Sequence, residues 1–149
     1  MVSIRRFWSL MTIITLPVFI LGCGEGDGGG VAVEPLADEP ILLDSALCLD
    51  IDDTRPVWIT DSFLGSDNDI YLWMYWTNVE DGSRVKVIWF SPKSELPFRE
   101  DSQTMESSTG FQITWFYISK PSDGFDEGEW TVEIYLDGLF ERSYLFTVG

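Results

Sequence analysis

Bulky apolar residues recur at every second position through most of this chain from residue 41 onward, and that spacing confines it to strands. In an extended backbone successive side chains point to opposite faces, whereas a helix would need apolar residues three to four apart. Ile70, Leu72, Met74 and Trp76 fall on one face of such a strand, with Tyr71, Trp73, Tyr75 and Thr77 on the other. Asn78–Gly82 reads as a hairpin turn, after which Val85, Val87 and Trp89 share a face. Pro92 ends that segment, because proline has no N–H to give a ladder. Phe111, Ile113, Trp115 and Tyr117 then alternate with Gln112, Thr114, Phe116 and Ile118. After the Gly- and acid-rich stretch Pro121–Gly128 come Trp130, Val132, Ile134 and Leu136, and Tyr144, Phe146 and Val148 close the chain. Shorter candidates lie at Ala46–Ile51, Val57–Ile59 and around Gln103–Ser107. No amphipathic helix longer than two turns is expected.

The last hairpin turns on Asp137-Gly138 and raises a question of register. A two-residue loop pairs Trp130 with Leu145 and turns Phe146 away from the Trp130 face. One further residue, in the loop or as an equivalent bulge, pairs Trp130 with Phe146 and Val132 with Tyr144. Register follows the buried face, so the second arrangement is expected. Seven or eight short antiparallel strands within about 109 residues make an all-β, two-sheet sandwich, and a chain of that size can bury about two-thirds of its surface without a staple.

The first 22 residues have a different character. Arg5 and Arg6 precede an apolar run, Phe7–Leu21, of fifteen residues. That is shorter than the roughly 18–20 residues a helix needs to cross the hydrocarbon core, so the run suits a cleaved export signal better than a permanent span. It closes on Ile20-Leu21-Gly22-Cys23, which resembles the lipobox of bacterial lipoproteins. The resemblance implies cleavage after residue 22, acylation of Cys23 as the mature N-terminus, and a cell-envelope location. Gly24 in place of Asp implies the outer membrane where enterobacterial sorting applies. Multiple acyl chains hold a protein firmly at about 0.8 kcal/mol per buried methylene, so the membrane is contacted through lipid alone. Residues 23–40 continue as GEGDGGGVAVEPLADEP after the cysteine. Glycines and mutually repelling acids make this a flexible linker with a coil dimension of roughly 20–24 Å. Residues 41–149 form the folded domain.

Within that domain Gly128-Glu129-Trp130-Thr131-Val132-Glu133-Ile134-Tyr135-Leu136-Asp137-Gly138, followed by Phe146-Thr147-Val148, resembles the closing hairpin of immunoglobulin-like domains in bacterial envelope proteins. Trp76-x-Asn78 and Trp89-Phe90-x-Pro92 suit the same layout. The resemblance implies an immunoglobulin-like sandwich of seven or eight strands and says little about activity. The Cys–Trp–Cys signature of antibody domains is absent from the sequence.

The chain contains no histidine, which removes Ser-His-Asp and Cys-His catalysis and histidine-based zinc sites together. With Cys23 acylated, Cys48 is the one thiol left, and between Leu47 and Leu49 it reads as a small buried hydrophobe. Two carboxylates can hydrolyse a glycoside across a cleft, but no catalytic motif surrounds the acids here, and no enzymatic activity is expected. Calcium is a better use for them: Asp67 and Asp69 sit in a loop before a strand, where Asp50, Asp52 and Asp53 could supply further oxygens. The spacing matches no EF-hand. The chain has 9 basic and 25 acidic residues, a net charge of −16. Phosphates are repelled by a surface of this sign, so no nucleic acid is expected as a partner.

The aromatic stripe is the sharpest lead. If Ile70, Leu72, Met74 and Trp76 face the core, Tyr71, Trp73 and Tyr75 face outward, flanked by Ile88 and Phe90 across the Asn78–Gly82 hairpin. Tyr and Trp combine an apolar body with a polar tip, which suits a surface that meets a partner. The alternative at the same residues is that they are covered and belong to a core. The leading expectation is a non-enzymatic, membrane-anchored binding or assembly module that meets another envelope protein. The alternatives are a carbohydrate-binding module for cell-wall or surface polysaccharide and a calcium-stabilised adhesion domain. The anchor has a direct test. The mature N-terminal peptide is expected to begin at Cys23 and to carry acyl mass, and Cys23→Ala is expected to move the chain from the membrane to the soluble fraction.

Overall fold

The computed structural model describes residues 39–106 and 110–149. The expected export signal, Cys23 and the expected linker as far as residue 38 lie outside the described residues. Nine strands run in order: β1 (Ile41–Asp52), β2 (Arg55–Ile59), β3 (Ser62–Phe63), β4 (Asp69–Thr77), β5 (Arg84–Phe90), β6 (Arg99–Thr104), β7 (Phe111–Ser119), β8 (Gly128–Leu136) and β9 (Leu139–Val148). No helix occurs among the described residues. The strands form a four-stranded sheet, β2-β1-β4-β7, and a five-stranded sheet, β3-β9-β8-β5-β6. All pairings are antiparallel except the short one between β3 and β9.

The core is made by the alternation read from the sequence. Ile70, Leu72, Met74 and Trp76 of β4 are fully buried and face Val85, Val87 and Trp89 of β5 and Trp130, Val132 and Ile134 of β8 within one apolar cluster. Phe146 holds the middle: its ring stacks on Trp130 at 5.9 Å and meets Trp89 and Phe63 edge-on at 6.1 and 5.5 Å. Edge-on and offset contacts of this kind add to the area term because the positive rim of one ring meets the negative face of the next. Two of the three fully buried indoles keep their polar tips satisfied. Trp130 donates to Asp126 O at 2.8 Å and Trp76 to Thr114 Oγ1 at 3.2 Å. Trp89 Nε1 has no acceptor among the described residues.

The register of the closing hairpin is the expected one, reached through a bulge. Trp130 pairs with Phe146 and Val132 with Tyr144. Asp137 and Gly138, at φ 50 and 84°, form the two-residue turn between Leu136 and Leu139. Ile134 then pairs with Arg142 while Tyr135 pairs with Phe140, so Glu141 is the extra residue that restores the register. A two-residue turn matches strand twist, and a single bulge shifts every later side chain to the other face.

One expected hairpin does not form. β4 and β5 belong to different sheets, because β4 is flanked on both sides by β1 and β7. The connection through Asn78–Ser83 is an arch between the layers, and Val79 is buried beneath it. Ile88 and Phe90 therefore lie in the five-stranded sheet and do not flank Tyr71, Trp73 and Tyr75. β1 and β2 instead make a hairpin on Asp53 and Thr54, both at positive φ (44 and 69°). For a β-branched threonine that conformation is strained.

Neighbouring residues on β9 give a test of this architecture. Phe146→Ala is expected to cost about 3–5 kcal/mol in denaturant melts. Leu145→Ala, on a side chain 61% exposed, is expected to stay within about 0.5 kcal/mol of the parent.

Candidate functional site

The outer face of the four-stranded sheet is where the aromatic residues that do not fit the core collect. β7 lies beside β4 in unbroken register: Tyr71 is opposite Tyr117, Trp73 opposite Trp115, Tyr75 opposite Ile113 and Thr77 opposite Phe111. Thr114, Phe116 and Ile118 of β7 are buried, which turns Phe111, Ile113, Trp115 and Tyr117 outward. Phe111, Trp115 and Tyr117 are 60, 40 and 44% exposed. The predicted residues Tyr71, Trp73 and Tyr75 do lie on this face, with Tyr71 and Tyr75 half-buried and Trp73 nearly covered. The β7 row went unrecognised in the sequence because both faces of that strand are rich in large apolar residues.

The rings are ordered against one another. Trp73 and Tyr75 are near-parallel at 6.1 Å and 16°, Tyr75 and Phe111 at 5.5 Å and 17°, and Tyr71 and Tyr117 tilt at 5.3 Å and 30°. Trp73 Nε1 donates to Thr54 O at 2.7 Å, so the strained β1–β2 turn is tied to the aromatic row. Between that hairpin and the row opens a hollow of about 740 Å³. Trp73, Tyr75 and Ile113 give it an apolar lining, while Asp44 and Arg55 bring charge. Ala46, paired with Trp73 across the sheet, is also part of its lining. Pockets of this size with mixed lining are ordinary sites for a ligand or a partner's side chain.

The acidic loop is arranged differently from a cation site. Asp67 Oδ2 accepts the Leu64 N–H at 2.8 Å. The ammonium of Lys120 donates to Ser66 O at 2.9 Å and to Asn68 Oδ1 at 3.4 Å, so a lysine already serves the loop oxygens. Asp69 begins β4 opposite Ser119. Asp50, Asp67 and Asp69 share a shallow hollow of about 340 Å³ with Trp58 and Tyr71, yet among the described residues no three carboxylates or thiols are placed to hold a metal ion. Calcium needs six to eight oxygens, and the residues present here do not fit it. Burial raises the Tyr71 hydroxyl above its ordinary pKa of 10.0, helped by the negative charges of Asp69 and Asp50.

Cys48 is a free thiol, fully buried, opposite Tyr71 on one side and Ile59 on the other. Burial pushes the thiol from 9.0 up to about 11, against backbone hydrogen bonds involving Asp50 and Val57 that pull the other way. A thiol held this far toward its neutral form is a poor nucleophile.

The sequence matches no protein-family model and no curated protein. Solved structures do match in fold. An immunoglobulin-like protein from Pseudomonas aeruginosa aligns with a TM-score of 0.53 at 8% identity, covering 77% of this chain and 100% of its own. The C-terminal domain of wzt aligns with a TM-score of 0.52 at 12% identity, covering 74% of this chain and 73% of its own. The fold is an immunoglobulin-like β-sandwich. At such identities the likeness extends to the fold and to nothing further.

Cys48 supplies a pH test. Below about pH 9 the thiol is neutral in both folded and unfolded chains, and its burial favours the fold in full. Between pH 9 and 11 the unfolded thiol ionises first, so this contribution is lost as pH rises through the folded value. The stability of the parent relative to Cys48→Ala is expected to fall by about 2–3 kcal/mol across that interval in urea melts.

Proposed function

We propose that the chain is a non-enzymatic binding module of the cell envelope. In this reading acyl chains at Cys23 anchor it to the outer membrane, residues 24–40 give it reach, and the outer face of the four-stranded sheet contacts an envelope protein. One observation carries the reading: Phe111, Trp115 and Tyr117 stand exposed beside Tyr71, Trp73 and Tyr75 on a single face. Isolated exposed apolar residues are normal, but contiguous aromatic patches mark interaction surfaces. Aromatic enrichment with charge at the margin, here Asp44 and Arg55, is the composition of a protein contact. The lack of histidine and the raised pKa of the buried Cys48 thiol support a role without chemistry.

A glycan is the second reading. It is favoured by the near-parallel Trp73, Tyr75 and Phe111 rings beside the 740 Å³ hollow, since sugars pack on aromatic faces and need polar groups close by.

In-cell crosslinking followed by mass spectrometry separates the two. With the fold intact by circular dichroism, Trp115→Ala together with Tyr117→Ala is expected to remove a protein crosslink that the parent forms. Retention of every crosslink would exclude this face as the protein contact. Quenching or a blue shift of tryptophan emission on adding envelope polysaccharide, lost in Trp73→Ala, would instead identify the glycan.

A further inference from the structure

β2 pairs with β1 only from Cys48 to Asp52, and where it ends two hollows meet at the margin of β1. The larger is the 740 Å³ hollow beside Trp73 and Tyr75. The other, of about 460 Å³, reaches Tyr144 and Leu145 of β9. They share Ser45, Ala46 and Ile59. Ala46 lies opposite Trp73, and its small side chain leaves the larger hollow open. Ser45 marks the junction: its Oγ lies 2.5 Å from the Tyr144 hydroxyl and accepts from Arg142 Nη1 at 3.1 Å. The charges here are not spent on one another. Lys86, Lys93 and Arg99 each meet a carboxylate. Arg55 meets none among the described residues, although Asp44 lines the same hollow and is engaged only by the N–H of Ser45 at 2.8 Å.

We propose that these joined hollows bind a glycan that carries no acidic group, held through its hydroxyls by Asp44, Arg55 and Arg142. A sugar hydroxyl both donates and accepts, so one ligand satisfies a carboxylate and a guanidinium together without bearing charge itself. Ala46, Ile59 and the rings of Trp73 and Tyr75 meet its C–H surface. An apolar lining with a few convergent polar groups is the usual make-up of a ligand site. Two hollows that share a wall suit a ligand of repeating units. Charge narrows the class. Asp44 and Asp61 line the hollows, and Asp52, Asp53 and Glu141 stand near the two arginines in the chain. The arginines are thus outnumbered and serve as hydroxyl donors, while an acidic polysaccharide is repelled by these carboxylates and by the net −16. The inference rests on the glycan reading above, adds the class of sugar and its grip, and leaves the β7 row to a protein contact.

The test uses the full chain in a polyoxyethylene detergent, which carries no sugar, run in native gels cast with dextran, mannan, amylose or polygalacturonate. At least one of the three neutral polymers is expected to retard the chain, and polygalacturonate is not. Arg55→Ala is expected to weaken that retardation roughly tenfold. Ala46→Leu, which fills the larger hollow, is expected to weaken it by a similar factor. Trp115→Ala together with Tyr117→Ala is expected to leave it unchanged. Where circular dichroism shows that Ala46→Leu does not fold, Arg55→Ala decides, because that side chain has no partner to lose among the described residues. No retardation by any neutral polymer, retardation by polygalacturonate alone, or parent-like retardation of Arg55→Ala would each overturn the proposal. Retardation kept in Arg55→Ala but lost with Trp115 and Tyr117 would reject these hollows and retain the glycan reading on the β7 row. A protein crosslink without retardation by any polymer would reject the glycan and retain the protein contact.

Discussion

The contact between Phe146 and Trp130 decides which side of every strand in the five-stranded sheet faces inward. Phe146 also meets Trp89 and Phe63, so one ring ties together β9, β8, β5 and β3. The turn at Asp137-Gly138 by itself would place Leu145 opposite Trp130. The bulge at Glu141 exists because the alternative exposes Phe146 and buries nothing of equal size. A small local disruption of the ladder, one residue without a partner, is offset by burial of a whole aromatic side chain at about 1.5–3 kcal/mol.

With the inward face set, the outward face of β4 and β7 follows, since alternation leaves no other place for it. β4 carries bulky groups on both faces and so does β7, but a two-layer sandwich has only one interior. Leu72 and Phe116 claim it, which leaves Trp73 and Trp115 side by side on the outside. Partial cover comes from the β1–β2 hairpin, whose Thr54 carbonyl accepts the Trp73 indole N–H. The strained Asp53-Thr54 turn is held by this bond and shelters one end of the aromatic row, leaving the β7 end open.

The strand faces and the closing register were legible in the sequence because they depend on a residue's own neighbours in the chain. Ile70, Leu72, Met74 and Trp76 sort inward whichever strands they pair with. Pairing itself was not legible. Backbone hydrogen bonds are the same for any sequence, so nothing in β4 specifies that β1 and β7 will flank it and that β5 will cross to the other layer. That is why Ile88 and Phe90 were assigned to the wrong sheet, and why Phe111, Trp115 and Tyr117 were not assigned to the site at all. The acidic loop shows a different omission: Lys120 is far from Ser66 and Asn68 in sequence, and its ammonium reaches their oxygens only in the fold.

An aromatic face next to an open strand edge is also an aggregation hazard, and the charge of the domain bears on that directly. Net charge far from zero keeps like molecules apart, and its reach at physiological salt is about 8 Å. Repulsion of that range acts between two approaching copies before their β7 strands can come into register. An acidic composition of this kind disfavours approach of one copy to another, which suits a strand that carries none of the proline, lysine or bulge that guard other edges.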